Sequence, residues 1–199
     1  RFRDQKIDIL IGTQMIAKGF DFPHVTLVGV GLADVGLRLP DFRSSERTFQ
    51  LLTQVAGRAG RGTRPGRVLI QTYSPEHSAI QCASRHDYRG FFAAETAARA
   101  ELGYPPHGRL IAIRFEGADE HDVRAVADEL GERVRRQSAG VGVTILGPAE
   151  APLRRLKGMV RWHLWARGRD RVRLRATVKS LVDELGKTRP GVRVSVDVD

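Results

Sequence analysis

Apolar and polar positions change rhythm about half-way along the chain. In the first half, Ile7–Ile11 (IDILI) and Val25–Gly31 (VTLVGVG) are largely apolar runs of strand length, and Arg67–Thr72 (RVLIQT) is a third. Such runs suit strands buried on both faces of a parallel sheet. Between the second and third, Ser45–Ala56 carries Phe49, Leu52, Val55 and Ala56 at helical offsets. Strands alternating with helices predict a right-handed β-α-β layer. His77–Arg85 and Tyr88–Leu102 read as two further helices, the second ended by Gly103.

Tyr104-Pro105-Pro106 then interrupts the pattern, because a proline pair cannot continue a helix and forces Tyr104 into an extended conformation. This places a domain boundary between residues 1–103 and 104–199. Beyond it the pattern predicts strand Leu110–Phe115, helix Asp119–Gln137, strands Val143–Leu146 and Met159–Arg167, helix Arg171–Leu185 and strand Val192–Val198. The first helix has Val123, Val126, Ala127, Leu130 and Val134 on one stripe, with Asp119 as N-cap. The second has Leu174, Val178, Leu181, Val182 and Leu185, between Asp170 and Gly186. Val192, Val194, Val196 and Val198 alternate, which predicts one buried face. The order β-α-β-β-α-β is the ferredoxin-like arrangement. The fold class is therefore α/β, a parallel layer followed by a ferredoxin-like domain.

Composition narrows the functional classes. With 199 residues, 41% hydrophobic and 28% charged, the chain is globular in character and long enough for one large domain or two small ones. No apolar run approaches the roughly 18 residues of a membrane span, so no membrane partner is expected. A single cysteine, Cys82, excludes an internal disulfide framework and suits a reducing cytoplasm. The chain opens on Arg1 and runs at once into a strand-like segment, as expected of part of a longer protein.

Net charge is +10, which suggests an anionic partner, nucleic acid being the commonest. Residues 153–179 concentrate it: Arg154, Arg155, Lys157, Arg161, Arg167, Arg169, Arg171, Arg173, Arg175 and Lys179 stand against one acid, Asp170. Trp162 and Trp165 fall on opposite faces of the Met159–Arg167 strand, so one is expected in the core. Trp165 shares its face with Arg161, His163 and Arg167, a combination that could stack bases and hold phosphates. A solvated strand face is the other reading. Cys82, among small apolar neighbours, reads as an inert thiol. None of the six histidines pairs with another at metal-ligand spacing, so no metal site is expected.

Two segments carry chemistry. Gln54-Val55-Ala56-Gly57-Arg58-Ala59-Gly60-Arg61 ends a helix with two arginines three apart, each preceded by a glycine. Glycine lets the backbone turn sharply and approach closely, and guanidinium matches phosphate oxygens bidentately. Gly12-Thr13-Gln14-Met15-Ile16-Ala17-Lys18-Gly19-Phe20-Asp21-Phe22-Pro23 follows the first apolar run, at the carboxyl end of a parallel strand where α/β sheets bind ligands. Thr13, Gln14 and Lys18 could hold a phosphodiester backbone, with Gly19 and Asp21 nearer a nucleotide.

Together these segments, GTQMIAKGFDFPHVTLVGV and ADVGLRLPDFRSSERTFQLLTQVAGRAGRG, resemble motifs V and VI of superfamily-2 helicases, most closely the PriA family of replication-restart helicases. The likeness continues through Tyr104-Pro105-Pro106, Gly147-Pro148, Arg161-Trp162 and Asp197-Val198-Asp199. It implies a RecA-like helicase lobe 2 over 1–103 and a family-specific C-terminal domain over 104–199.

The resemblance further implies a bacterial 3′→5′ DNA translocase that recognises stalled forks and helps to reload the replicative helicase. It assigns Arg58 and Arg61 to the γ-phosphate as catalytic groups, Gln54 and Gly57 with Gly19 and Asp21 to ATP, and Thr13, Gln14 and Lys18 to DNA. Arg161, Trp165 and Arg167 are candidate DNA contacts in the second domain. Arg169 and Arg171 are candidates for the acidic tail of single-stranded DNA-binding protein. Neither a GKT-type P-loop nor a DEAH-type motif occurs in these residues. Both belong to the family's first lobe, as its zinc-binding cysteines belong upstream, so ATP and Mg2+ are expected to bind only with that lobe. Alone, the chain is expected not to turn over ATP. The remaining expectations are other primosome proteins as partners and a cytoplasmic, nucleoid-associated location. The alternative keeps the architecture without the motor, as a helicase-inactive DNA-binding primosome assembly factor. A ribosome-like RNA-binding module would account for the basic second domain but not for the two-arginine loop.

Overall fold

The computed structural model describes residues 2, 6–14, 24–60, 65–185 and 191–198, with the backbone alone over 180–185. The chain forms two compact units, Arg1–Thr96 and Ala97–Asp199, so the division falls within a helix upstream of Tyr104-Pro105-Pro106.

In the first unit, β1 (Leu27–Val30) and β2 (Arg67–Ile70) pair in parallel, from Leu27 opposite Arg67 to Val30 opposite Ile70. The connection holds α1 (Asp34–Leu37) and α2 (Ser44–Ala56), and the chain continues into α3 (Ser78–Ser84) and α4 (Tyr88–Leu102). The α2 stripe does what its spacing predicts: Phe49 and Leu52 are buried with Ala33, Ala79, Ile80, Ala83 and Phe91. The Phe49 and Phe91 rings lie stacked, 4.2 Å between centroids and 2° from parallel. His77 caps α3, its Nδ1 accepting from the Ala79 N–H at 3.2 Å.

Two features depart from expectation. Ile7–Ile11 is not a strand: the segment is irregular, with Ile9 78% and Ile11 89% exposed. An apolar run holds as a strand only between hydrogen-bonded neighbours, and the sheet of the first unit comprises β1 and β2 alone among the described residues. The short α1 has no periodicity to announce it, since four residues make barely one turn.

The second unit has the predicted order of elements. The strands β3 (Arg109–Gly117), β4 (Val143–Leu156), β5 (Met159–Gly168) and β6 (Val192–Val198) form an antiparallel sheet in the order β4-β5-β3-β6. With α5 (Glu120–Ser138) and α6 (Arg171–Leu185), this is the ferredoxin-like order. The α5 stripe Val123, Val126, Ala127, Leu130 and Val134 is buried against Ile111, Ile113, Phe115 and Leu164. Asp119 caps α5 by accepting from the Asp122 N–H at 3.0 Å. Asp170 caps α6, its Oδ1 accepting from the N–H groups of Val172 and Arg173 at 2.9 and 3.1 Å. Leu174 and Val178 are buried in the same core, whereas the side chains of Leu181, Val182 and Leu185, and Gly186, lie outside the described residues.

β4 runs ten residues past its predicted end, through Gly147-Pro148 and two register shifts, to a hairpin with β5. In β6, Val192 and Val194 pack against the core, but Val196 and Val198 stay exposed because β6 is the sheet edge and the helical layer does not cover it. No helix among the described residues is long and apolar enough to cross a membrane.

Candidate nucleotide and nucleic-acid surfaces

The two-arginine loop starts where α2 stops. The Gly57 N–H donates back to the Thr53 carbonyl at 3.1 Å and the Arg58 N–H to that of Val55 at 3.0 Å, which closes the helix into a turn. Gly60 then takes φ +73°, a left-handed conformation that side chains rarely adopt. A Cβ on Gly60 would sit 2.7 Å from the Gly66 nitrogen, so the two arms of the loop run backbone against backbone. The Gly60 N–H donates to the Val25 carbonyl at 3.1 Å, and the Arg67 N–H to that of Thr26 at 2.8 Å. Both arms are thereby fastened to residues 25–26, the stretch leading into β1. Gln54 and Gly57 are exposed and Arg58 is half-buried. Arg61, Lys18, Gly19 and Asp21 lie outside the described residues, while Thr13 and Gln14 are exposed at the end of the irregular 6–14 segment.

At the opposite ends of β1 and β2, Asp34 is 3% exposed and holds the chain after β2. Its carboxylate accepts from the Tyr73 N–H at 2.9 Å and from the Thr72 hydroxyl at 3.1 Å. The Tyr73 N–H, aided by the Ser74 and Thr72 side chains, holds the Asp34 carboxyl below the usual carboxylate range despite burial. The sequence offered no signal for this residue beyond its place after a strand.

On the second unit, the face of β5 turned away from the helices carries Arg161, His163, Trp165 and Arg167. Trp162 is the tryptophan that packs against the core, with the Arg124 guanidinium 5.8 Å above its ring. The Arg161 Nε donates to Glu116 Oε1 at 2.8 Å. Arg167 donates to the Leu102 carbonyl and lies over the Tyr104 ring, 5.5 Å from its centroid. His163 is 9% exposed and meets Trp165 edge-on, the ring centroids 6.0 Å apart. Burial, with the Arg114 charge second, pushes the His163 pKa down, so the ring is neutral where an ordinary histidine begins to charge. Arg114 in turn bonds Asp197 at 2.8 Å.

Where β6 leaves the helical layer open there is a cavity of about 280 Å³. Arg109, Arg171 and Arg175 line it together with Leu110, Ile111, Leu174 and Val198. None of these three arginines has an ion-pair partner among the described residues, whereas Arg173 lies 3.4 Å from Asp170. Arg169 is exposed just before α6. Three cations beside an apolar floor suit a carboxylate carried next to an apolar group. Sequence reasoning singled out Arg171, named Arg175 only within the basic stretch 153–179, and missed Arg109; the four-residue spacing of Arg171 and Arg175, which puts both on one helix face, was the available signal. It also missed that Asp119, His121 and Asp122 lie close enough to share an ion, although Asp119 is already occupied as the α5 cap.

Comparison with known proteins gives the family. Residues 100–199 match the family described as "Primosomal protein N C-terminal domain", and residues 1–63 match "Helicase conserved C-terminal domain". The "Replication restart protein PriA" of Bacillus subtilis (strain 168) is 41% identical over 198 residues, which is 100% of this chain and 24% of that protein. The protein of the same name in Treponema pallidum (strain Nichols) is 41% identical over 199 residues, 100% of this chain and 30% of its own length. That of Synechocystis sp. is 46% identical over 164 residues, 82% of this chain and 20% of its own. The chain thus spans less than a third of the length of each of these three relatives. The match of residues 100–199 to the primosomal C-terminal domain, preceded by a helicase C-terminal domain over 1–63, places the chain in the PriA family.

Proposed function

We propose that these residues form the second helicase lobe and the C-terminal domain of an ATP-dependent 3′→5′ DNA helicase that acts in replication restart at stalled forks. The observation that supports this reading is the Gly60–Val25 hydrogen bond, which holds Gly60, between Arg58 and Arg61 in sequence, beside Val25. Exposed Gln54 and half-buried Arg58, on a backbone locked at Gly60 and Gly66, suit a polyphosphate. ATP with Mg2+, bound between this lobe and a first one, supplies the phosphoanhydride whose hydrolysis drives translocation. Arg58 and Arg61 meet the γ-phosphate, Gln54 and Gly57 orient the loop, and Gly19 and Asp21 approach the nucleotide. Thr13, Gln14 and Lys18 follow one DNA strand.

In the second unit, Trp165 offers the stacking surface and Arg161 and Arg167 border it. The cavity with Arg171 takes the acidic tail of single-stranded DNA-binding protein, with Arg169 at its approach.

The experiment is a DNA titration and a phosphate-release assay on the 199-residue chain. Single-stranded DNA should bind with an affinity that falls with salt, the log–log slope being about −0.7 for each phosphate neutralised. DNA should release no phosphate from ATP, because the chain has no P-loop. Absence of DNA binding, or DNA-stimulated ATP turnover by this chain alone, would contradict the reading.

A further inference from the structure

The β4–β5 hairpin is the one long extension that the sequence pattern did not announce, and its tip has an unusual surface. Leu156 pairs with Met159, so Lys157-Gly158 forms a two-residue turn. Both turn residues have positive φ, +51° and +81°, as a tight hairpin of this hand requires. The central strand β3 has its last partner at Val160, opposite Gly117, so Leu156 to Met159 project beyond it.

Three large apolar side chains are exposed here: Leu153 at 53%, Leu156 at 44% and Met159 at 36%. Beside them stand Arg155 and Lys157, neither with an acidic partner among the described residues. Arg154 differs: it bonds Glu120 at the start of α5 and lies 3.6 Å from Glu150. One cation thus fastens the hairpin to the domain, and two are left for an outside partner.

The pairing of Leu156 with Met159 sets two exposed apolar side chains side by side, as at interaction surfaces. Arg155 and Lys157, neighbours of this pair in the chain, can hold an anion, and few partners present both chemistries at once. The end of a DNA duplex does: its last base pair exposes an apolar ring face, flanked by phosphates. Leu and Met side chains are used as wedges against base steps, with cations holding the backbone alongside.

We infer that the Leu156/Met159 tip wedges against and unstacks the terminal base pair at a junction of duplex and single-stranded DNA, with Arg155 and Lys157 on the adjoining phosphates. The inference rests on the DNA-binding reading above and adds the structure within DNA that this unit contacts.

The test uses the 199-residue chain and a forked DNA carrying 2-aminopurine in the last base pair of its duplex arm, where stacking quenches the fluorophore. The wild-type chain should raise its fluorescence on binding. The double variant Leu156→Ser/Met159→Ser should bind the fork yet lose most of that rise. Arg155→Ala and Lys157→Ala should each reduce the salt slope by about 0.9. Lys157→Glu, in the turn and clear of both strands, gives a second charge variant, and circular dichroism melting checks that every variant is folded.

If the wild type binds DNA while all variants keep its signal and slope, the hairpin inference fails and the proposed function stands. If the wild type binds no DNA, both fall. If the Leu156→Ser/Met159→Ser chain loses binding to anionic phospholipid vesicles with DNA behaviour unchanged, the surface serves a membrane and the inference is overturned.

Discussion

The Arg167 guanidinium lies over the Tyr104 ring, 5.5 Å from its centroid, and donates to the carbonyl of Leu102. It therefore fastens the end of α4 and the turn after it to β5. The face of β5 that reads in sequence as a nucleic-acid surface is here partly spent on holding the chain. Arg167→Ala should lower the melting temperature of the second unit. An exposed cation–π contact is worth about 0.5–1 kcal/mol, and 1 kcal/mol corresponds to a shift of about 4–8 °C in a domain of this size. Lysine should restore little, because it keeps the charge and loses the planar fork. An unchanged melting temperature in the Ala form would show that the contact does not hold the segment.

Asp34 ties the chain after β2 through hydrogen bonds that only its ionised form accepts in full. Its carboxyl is lowered in the folded state, chiefly by the Tyr73 N–H. The stabilisation is therefore complete above the ordinary carboxylate pKa, near 3.9, and is lost as pH falls through the lower folded value. Asp34→Asn should lower thermal stability near neutrality and flatten its acid dependence below about pH 4. Parallel acid profiles for the two proteins would contradict this.

Gly60 is required twice over, by its φ of +73° and by the 2.7 Å approach to the Gly66 backbone. The neighbour is main chain and cannot swing aside, so Gly60→Ala must open the loop. Loss of the Val25 hydrogen bond should follow, seen as faster exchange of the amide of residue 60, which donates it. Gly57→Ala, at φ −68° and with no atom nearer than 3.6 Å, should leave exchange unchanged. Equal protection in both variants would show that the loop tolerates a side chain at Gly60.

The cavity beside β6 makes a separate prediction. An acidic peptide with a free C-terminal carboxylate should bind the chain, and Arg171→Ala and Arg175→Ala should each weaken it by a factor of about ten, the weight of a charged hydrogen bond. Arg173→Ala, whose guanidinium is 3.4 Å from Asp170, should weaken it far less. Calorimetric titration distinguishes the two. Equal losses in all three variants would mean that the peptide reads net charge and not the cavity.

Strong periodicity made the second unit legible. The α5 stripe, the Asp119 and Asp170 caps and the four strands all follow from spacing and capping chemistry, because each element buries one face against the others within the same unit. Ile7–Ile11 was misleading for the complementary reason: apolar content records what a segment requires on both sides, and the described sheet provides no neighbour for it. The extension of β4 was hidden by Gly147-Pro148, which reads as a stop although the strand resumes beyond it. The turn after α2 was legible from Gly57-Arg58-Ala59-Gly60, while the contacts that fix Gly60, at Val25 and Gly66, are remote in sequence and carry no motif. Arg161 shows the converse. Its place on the open face was correctly read, but its ion pair with Glu116 depends on the register of β5 against β3, which spacing alone does not supply.

The central claim is that the loop after α2 presents its arginines to the γ-phosphate. Steady-state ATP turnover of the full-length protein, with melting temperatures for wild type, Arg58→Ala, Arg61→Ala and Arg61→Lys, tests it most directly. Removal of a guanidinium that meets charge developing in the transition state lowers kcat more than ground-state binding. Both Ala forms should therefore lose turnover by about 10³-fold or more, with DNA affinity and melting temperature nearly unchanged and no rescue by Lys. Near-normal turnover in the Ala forms, or a loss that tracks unfolding and is restored by Lys, would contradict the account.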